Sequence, residues 1–219
     1  MTGKDAYHHG NLRRALMDGA LAVIAERGIE GLSLREVAAR AGVSHAAPYH
    51  HFADKAALIH ALALECAGLI DERMAACEAA AGDDPIERLV AIGMAYVLFA
   101  DERPDYYAAF TAPELHAART GPFASQGEEP GGTWVRLIRT VAECQSAGGL
   151  PAGDPVVMSV TMWSLVHGLA ELWRNGPLRF MAQGSDGLEP MARAVLLAAV
   201  GSIHETAGSG SWPMCGKDD

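Results

Sequence analysis

The chain lacks several sequence motifs that mark common enzyme classes, zinc sites and disulfide frameworks. Its four cysteines form no Cys-x-x-Cys pair and have no histidine at zinc-binding spacing. The Gly-x-Ser-x-Gly nucleophile elbow, the dinucleotide-binding Gly-x-Gly-x-x-Gly, the P-loop and the His-Glu-x-x-His motif are absent as well. We therefore expect no catalytic residues, no metal site and no cofactor.

Long uncharged apolar segments are scarce too. No run approaches the roughly 18 apolar residues that a membrane-spanning helix needs, and the N-terminal residues contain no apolar signal-peptide segment. About half of the 219 residues are nonetheless apolar, which is enough for a sizeable core. Helical periodicity is frequent, whereas alternating strand patterns and internal repeats are missing. The sequence predicts an all-α, globular, cytoplasmic protein with no membrane contact.

A helix-turn-helix pattern occupies residues 33–58. Ser33 and Glu36 have the spacing of a capping box, in which each side chain accepts from a backbone N–H of the other residue, so a helix should begin there. One apolar stripe follows at helical spacing: Leu34, Val37, Ala38 and Ala41. Gly42 then stands where a left-handed residue would end the helix. A short first helix and a tight turn are therefore expected.

The second helix of the pattern is expected to be the one that reads DNA. Ser44 can cap it, and it would start with His45, Ala46 and Ala47, where small side chains would let the helix backbone lie close to a duplex. Pro48 should cost this helix little, because Ser44 is the cap and is not yet helical. Asp54 can cap a third helix. Lys55 in its first turn opposes the helix dipole, so a DNA phosphate is its expected partner.

Positive charge is the scarcer sign in this chain. It has 17 Lys and Arg against 27 Asp and Glu, a formal net charge of −10, which is unusual for a DNA-binding protein. The acidic excess lies after residue 60, and charges more than about 10 Å from a contact surface are largely screened at ordinary salt. Binding should therefore rely on few phosphate contacts, for which the candidates are Arg13, Arg14, Arg35 and Lys55.

By these residues the chain resembles the TetR family of transcriptional repressors. The capping box, Ala38, Gly42-Val43-Ser44, and the Tyr-x-x-Phe and Lys formed by Tyr49, Phe52 and Lys55 fall in that family's register. The family usually has a larger apolar residue where Pro48 stands. The form Ser-His-Ala-Ala-Pro-Tyr resembles a subgroup with a Trp-His-Gly signature, which Trp163, His167 and Gly168 match.

The DNA-binding residues predicted from this segment are Ser33, Arg35, Ser44, His45, Ala46, Ala47, Tyr49, His50 and Lys55. We expect Tyr49 to offer its hydroxyl to a phosphate, whereas Phe52 is expected in the core. Altering His45 or His50 should change sequence preference.

Histidines are concentrated near the predicted DNA interface. Six of the nine lie in the first 60 residues. Because histidine gains positive charge below neutrality, we hypothesise that the protein binds its operator more tightly near pH 6 than near pH 8.

Helical stretches account for the rest of the chain. A first helix from about residue 11 to 27 precedes the motif, and a long one runs from 54 to about 80. Others are expected at about 85–101, 104–118, 133–147, 154–175 and 188–207, with a Gly/Pro-rich loop at 119–132. We predict a three-helix helix-turn-helix DNA-binding domain at 1–60, a helical effector-binding and dimerisation domain at 61–207, and a disordered tail at 208–219.

The resemblance also implies a homodimer on a palindromic operator and a small-molecule effector. In the family, the last two long helices of each subunit form a four-helix dimer interface; here they carry small-residue stripes, Thr161, Ser164 and Gly168 on one and Ala194, Ala198 and Gly201 on the other. The expected effector is small and apolar or aromatic, and it would lower operator affinity. Its predicted pocket residues are Tyr96, Phe99, Tyr107, Phe110, Trp134, Met162, Trp163 and His167.

Two other interpretations of the sequence remain open. One is a protein–protein adaptor that keeps the helical hairpin but never contacts DNA, and the net acidity favours that class. A thiol sensor is the other, because Cys66 and Cys77 would share a helix face, although about 16 Å along the axis is too far for a disulfide within one helix.

Overall fold

The computed structural model describes residues 3–117, 132–181 and 187–206, and every regular element in these ranges is helical. The predicted all-α class is therefore confirmed. The chain divides into two compact units, unit 1 comprising Met1–Arg73 and Phe99–Val135, and unit 2 comprising Met74–Leu98 and Arg136–Asp219. The predicted division into domains at 1–60 and 61–207 is a statement about function and stays a prediction.

Ten α-helices are described. They are α1 Gly3–Arg27, α2 Leu34–Arg40, α3 Lys55–Ala80, α4 Pro85–Glu102, α5 Pro104–Phe110, α6 Pro113–Ala117, α7 Gly132–Ser146, α8 Pro155–Arg174, α9 Pro177–Met181 and α10 Leu188–Thr206. Short 3-10 turns occur at Ile29–Gly31 and Ala47–His50. Residues 119–131 of the loop predicted at 119–132, and the tail predicted at 208–219, lie outside the described residues, whereas Gly132 is the first residue of α7.

The prediction of one continuous helix at 104–118 is wrong. It is broken after Phe110, and α6 begins anew at Pro113. Proline has no N–H for the helical bond and disfavours helical backbone in the residue before it, here Ala112. Helix α9 was not predicted, since Pro177–Met181 is too short to show a periodic pattern.

The predicted caps of α2 and α3 are present. Ser33 Oγ accepts a hydrogen bond from the backbone N–H of Glu36 at 3.2 Å. The Glu36 carboxylate lies 3.3 Å from the Arg27 guanidinium, an ion pair that the capping-box prediction did not include. Asp54 Oδ1 accepts from the N–H of Ala57 at 2.8 Å and so caps α3.

Gly42 ends α2 as expected. Its φ is +67°. The N–H of Val43 donates to the carbonyl of Ala38 at 3.0 Å, and the N–H of Gly42 donates to that of Ala39 at 3.2 Å. This pair of bonds is a Schellman motif, which requires a left-handed residue at the glycine position. Gly42 therefore sets the direction in which the chain leaves α2.

The core of unit 1 is built from the apolar faces of α1, α2 and α3. Its fully buried side chains include Leu16, Val23, Val37, Leu58, Ile59 and Leu62. Phe52, which follows the second 3-10 turn, is also buried, in agreement with its predicted core role. These contacts hold α2 and the residues after it against α1, so that the outward-facing side chains have a rigid support.

Unit 2 has a buried ionic cluster at the end of α3. Glu78 is 7% exposed and accepts hydrogen bonds from Arg88 and Arg136 at 2.8 and 2.7 Å, and from Arg139 and Thr140 at 2.7 and 3.1 Å. Burial acts to raise the pKa of Glu78, but the three guanidinium groups outweigh it and hold the pKa at about 2. The carboxylate therefore stays ionised and joins α3 to α4 and α7.

Helix α8 is an exception to the expectation that no segment is long and apolar enough to span a membrane. Among the described residues α8 is long and apolar enough to cross a membrane by length and composition alone. One face of α8 is nevertheless buried in unit 2, through Met162, Val166 and Leu169. Core helices of water-soluble proteins meet the same length and composition test, so this helix is weak support for a membrane segment.

Replacing Gly42 with alanine should lower the free energy of unfolding by about 1 kcal/mol. The cost is backbone strain, because an added Cβ at Gly42 would meet no atom within 4 Å. Gly68→Ala is the matched control, since Gly68 lies inside α3, has equal space and lacks a positive φ. We expect this change to raise stability by a similar amount. Equal effects of the two substitutions in denaturant unfolding would contradict the role of Gly42.

Candidate functional site

The recognition segment, Ser44–His51, differs in backbone from the predicted α-helix. It contains a 3-10 turn at Ala47–His50, and its cap residue is Ala46, with no side-chain cap. The prediction of an α-helix capped by the Ser44 side chain, at little cost from Pro48, is therefore wrong. Pro48 has no N–H to donate to the Ser44 carbonyl, which instead accepts from Ala47 at 3.0 Å. The segment continues with i to i−3 bonds such as Tyr49 N–H to Ala46 at 3.2 Å.

The side chains of this segment divide between core and solvent. Pro48 is buried, as is Phe52 just after the segment, while Ala47 is half-buried. The exposed residues are Ser44, His45, Ala46, Tyr49 and His50. Tyr49 is 62% exposed, which is unusual for so large an aromatic side chain. The segment therefore presents two imidazoles and one phenol on a surface whose backbone is held by the core.

Cationic and polar groups flank the recognition segment. Ser33 and Arg35 are exposed at the start of α2, and Arg35 has no ion-pair partner among the described side chains. The guanidinium of Arg13 lies 5.4 Å from the centroid of the Phe52 ring, and its Nη1 is 3.3 Å from Met17 Sδ. The ammonium of Lys55 lies 3.2 Å from the carboxylate of Glu114 on α6.

Arg14 is the phosphate candidate that the structure does not support. Its guanidinium donates hydrogen bonds to Asp18, one turn further along α1, to Glu65 of α3 at 2.5 Å and to the Tyr106 hydroxyl of α5 at 3.3 Å. The Tyr106 hydroxyl donates in turn to Glu65 at 2.5 Å. Burial, with help from the Glu65 carboxylate, raises the pKa of Tyr106. Arg14 thus joins three helices of unit 1 and is held by its own chain.

The eight predicted effector residues are divided between the two units. Tyr96, Met162, Trp163 and His167 belong to unit 2, and Phe99, Tyr107, Phe110 and Trp134 belong to unit 1. Phe99, Tyr107 and Phe110 are buried in unit 1, and Tyr96 and Met162 are buried in unit 2 to a similar degree, whereas Trp134 is half-buried.

In unit 2 the predicted residues include a polar cluster. The Tyr96 hydroxyl lies 2.9 Å from His167 Nδ1, and the rings of Trp163 and His167 are 5.4 Å apart. Met162 is buried on the same helix, one residue before Trp163. Tyr96 is on α4 and the other three are on α8, so the cluster joins two helices. Two groups able to form hydrogen bonds therefore lie among apolar side chains, as in many small-molecule sites.

A second feature of unit 2 was not predicted from the sequence. A surface depression of about 500 Å³ is lined by the Glu78 cluster, with Arg88, Arg136 and Arg139 facing Glu78 and Glu143. Its cations are already paired with carboxylates of the same cluster. A sequence shows Glu78 only as one acid at the end of an alanine-rich helix, and the arginines become its partners only in the fold.

Helices α8 and α10 expose apolar surface. Val157 is 63% exposed and Leu172 50% exposed on α8, and Leu197 is 38% exposed on α10. The predicted small-residue stripes are exposed along the same helices, at Thr161, Ser164, Ala194, Ala198 and Gly201. An added Cβ at Gly168 or Gly201 would meet no atom within 4 Å. These two helices of unit 2 therefore have room for another helix to approach closely.

Two of the described cysteines, Cys66 and Cys144, offer little to a thiol sensor. Cys66 and Cys144 are fully buried. Burial raises the pKa of the Cys66 thiol, and burial with the nearby Glu143 raises that of Cys144 to about 11. The Cys144 thiol also donates to the carbonyl of Pro85 at 3.1 Å. Reactive thiols are exposed and have a lowered pKa, so these two have the opposite properties.

Comparison with known proteins gives matches over both parts of the chain. Residues 16–62 match the family described as "Bacterial regulatory proteins, tetR family", and residues 89–195 match "Tetracyclin repressor-like, C-terminal domain". The regulator BetI of Rhizobium meliloti is 41% identical over 81 residues, which are 36% of this chain and 39% of BetI. The chain thus spans well under half of that curated relative.

Solved structures extend the likeness to almost the whole fold. A protein of unknown function from Rhodococcus is 31% identical, with a TM-score of 0.69 over 91% of this chain and 97% of its own. The regulator FadR of Bacillus subtilis, solved with stearoyl-CoA, is 19% identical, with a TM-score of 0.68 over 87% and 99% of the two chains. With both matched regions and the helix-turn-helix geometry in agreement, the chain belongs to the TetR family of transcriptional regulators.

Proposed function

We propose that this regulator is a homodimeric repressor that binds a palindromic DNA operator and releases it when a small apolar or aromatic effector binds. The observation that carries this proposal is the recognition segment, whose His45, Tyr49 and His50 side chains are exposed on a backbone held by the Gly42 turn and the buried Pro48. Membership of the Trp-His-Gly subgroup is part of the proposal.

The DNA-facing residues have three roles in this proposal. Ser33, Arg35, Tyr49 and Lys55 contact phosphates, which position the protein without reading sequence. His45 and His50 contact base edges, and Ser44, Ala46 and Ala47 let the backbone come close to the groove. The exposure of all these residues except the half-buried Ala47 and Lys55 supports this division.

A second copy of the chain is the proposed partner of α8 and α10. Their exposed valines, leucines and small residues would form a four-helix interface with the same helices of the partner, an arrangement that twofold symmetry allows. A palindromic operator with two half-sites requires such a pair. In such a dimer the exposed apolar side chains of α8 would be buried against the second subunit and not in a membrane. We therefore propose a cytoplasmic protein without a membrane segment.

The proposed effector site is the Tyr96–Trp163–His167 cluster with Met162. Its apolar walls and few polar groups suit an apolar or aromatic molecule, and the stearoyl-CoA bound by FadR makes acyl thioesters a reasonable first class to test. The effector would act by binding more tightly to the form of the dimer that does not bind DNA. In this proposal the chain has no catalytic residues.

The adaptor is the remaining alternative. It would use the same helices without DNA, and the net charge of −10 is its main support. The thiol sensor has less support because Cys66 and Cys144 are buried with a raised pKa.

Losing the Lys55 charge should weaken binding to every duplex. For Lys55→Ala we expect the same fractional loss on operator and on random DNA, and a salt slope smaller by about one per half-site. His50→Ala should instead reduce discrimination between operator and random DNA by about 1–3 kcal/mol. Arg73→Ala, which also removes one positive charge and one ion pair, with Glu102, should do neither. If Lys55→Ala and His50→Ala acted alike on both duplexes in titrations at several salt concentrations, the two roles would be wrong.

A charge on the exposed face of α8 should separate the subunits. Val157→Glu should sediment as a monomer at micromolar concentration and lose high-affinity operator binding, because an unpaired carboxylate would have to be buried in the interface. Leu64→Glu, at a leucine 52% exposed on α3, makes a comparable change on a helix that is not part of the proposed interface and should remain dimeric. A dimeric Val157→Glu variant in analytical ultracentrifugation would rule out this face.

The Tyr96 hydroxyl should matter to the effector and not to DNA. In Tyr96→Phe, which removes the group 2.9 Å from His167, we expect unchanged operator affinity without effector. The concentration of stearoyl-CoA, or of an active aromatic molecule, that gives half release should rise about fivefold, as for one lost hydrogen bond. An unchanged half-release concentration in a fluorescence-anisotropy competition would place the effector elsewhere.

A further inference from the structure

From the pairing of Lys55 with Glu114 we propose that Glu114 competes with DNA phosphate for the Lys55 ammonium, so that an intrachain ion pair opposes DNA binding. This inference rests on the proposed function, and it adds a residue outside the helix-turn-helix that sets DNA affinity. Both residues belong to unit 1. The Nζ of Lys55 and Oε1 of Glu114 are 3.2 Å apart.

A nearby anion would stabilise the Lys55 ammonium at its position in α3. Lys55 is the first residue of α3, where the helix dipole disfavours a cation, while the Asp54 carboxylate is engaged as the cap of the same helix. Glu114 is the one anionic partner of Lys55 among the described side chains. In the absence of DNA, Glu114 supplies the negative charge that a phosphate would supply.

The location of Glu114 suits a replaceable partner. It lies in the first turn of α6, a helix of five residues, where a carboxylate is compatible with the helix dipole. Its side chain is 34% exposed and that of Lys55 is 32% exposed. An ion pair with this much solvent exposure is weak, so a phosphate can displace it.

Glu114 lowers affinity for DNA whichever way the ammonium responds. If Lys55 leaves the carboxylate to contact a phosphate, the ion pair is lost on binding. If the ammonium contacts both, two like charges are brought within a few ångströms of each other and repel. Because phosphate contacts do not depend on sequence, the effect should be equal on operator and random DNA.

The test compares Glu114→Gln with the wild type on a random-sequence 30-base-pair duplex at low salt. We expect about two- to fivefold tighter binding per half-site, which is the range for a partly exposed ion pair. Glu102→Gln is the matched control. It removes one negative charge and one ion pair, with Arg73, from the same unit, so it measures the general effect of reduced net charge.

A double-mutant cycle shows whether Glu114 acts through Lys55. In a Lys55→Ala background, Glu114→Gln should give no more gain than Glu102→Gln does. The proposal is overturned if Glu114→Gln binds no more tightly than Glu102→Gln, or if its gain persists without Lys55. These results leave the proposed function intact as long as the wild type binds DNA, whereas a wild type that binds no duplex overturns both.

Discussion

The hydrogen-bonding pattern between Ala38 and Phe52 is the constraint on which the candidate DNA interface depends. The Gly42 turn sets the direction of the chain after α2, and Pro48 then prevents the Ser44 carbonyl from receiving an α-helical bond, so the backbone tightens into a 3-10 turn. Pro48 and Phe52 are buried, whereas Tyr49, His50 and the residues from Ser44 to Ala46 face outward. Local backbone chemistry thus decides which side chains are available to a duplex.

A second set of interactions ties this interface to later parts of the chain. The Arg14–Glu65–Tyr106 network links α1 and α3 to α5, and the Lys55–Glu114 pair links the start of α3 to α6. Unit 1 therefore contains more than the helix-turn-helix. Changes in α5 or α6 have a direct physical route to the residues that would contact DNA.

Local rules of sequence predicted the helical class, most helix boundaries and the caps at Ser33, Gly42 and Asp54. The same rules predicted little cost for Pro48. That prediction is wrong because the segment has a single turn, in which the missing N–H of Pro48 removes the α-helical bond to Ser44. The same rules also placed a single helix across Pro113. The segment of the DNA interface could be predicted from sequence, but its 3-10 backbone could not.

Partners distant in sequence account for the other errors. Arg14 reads as a free surface cation until Glu65 and Tyr106 are folded against it. Glu78 shows no pattern until three arginines from two other helices surround it. The predicted effector residues share an apolar or aromatic character that core residues also have, so the sequence could not show that Tyr96 pairs with His167 across two helices.

The proposed function requires that this chain read DNA sequence as a symmetric dimer. The decisive experiment is selection from a random duplex library with the purified protein at about physiological salt, followed by sequencing of the retained duplexes. We expect enrichment of a palindrome with two half-sites whose spacing matches a twofold pair of recognition segments. Recovery of duplexes with no sequence enrichment would contradict it and favour the adaptor.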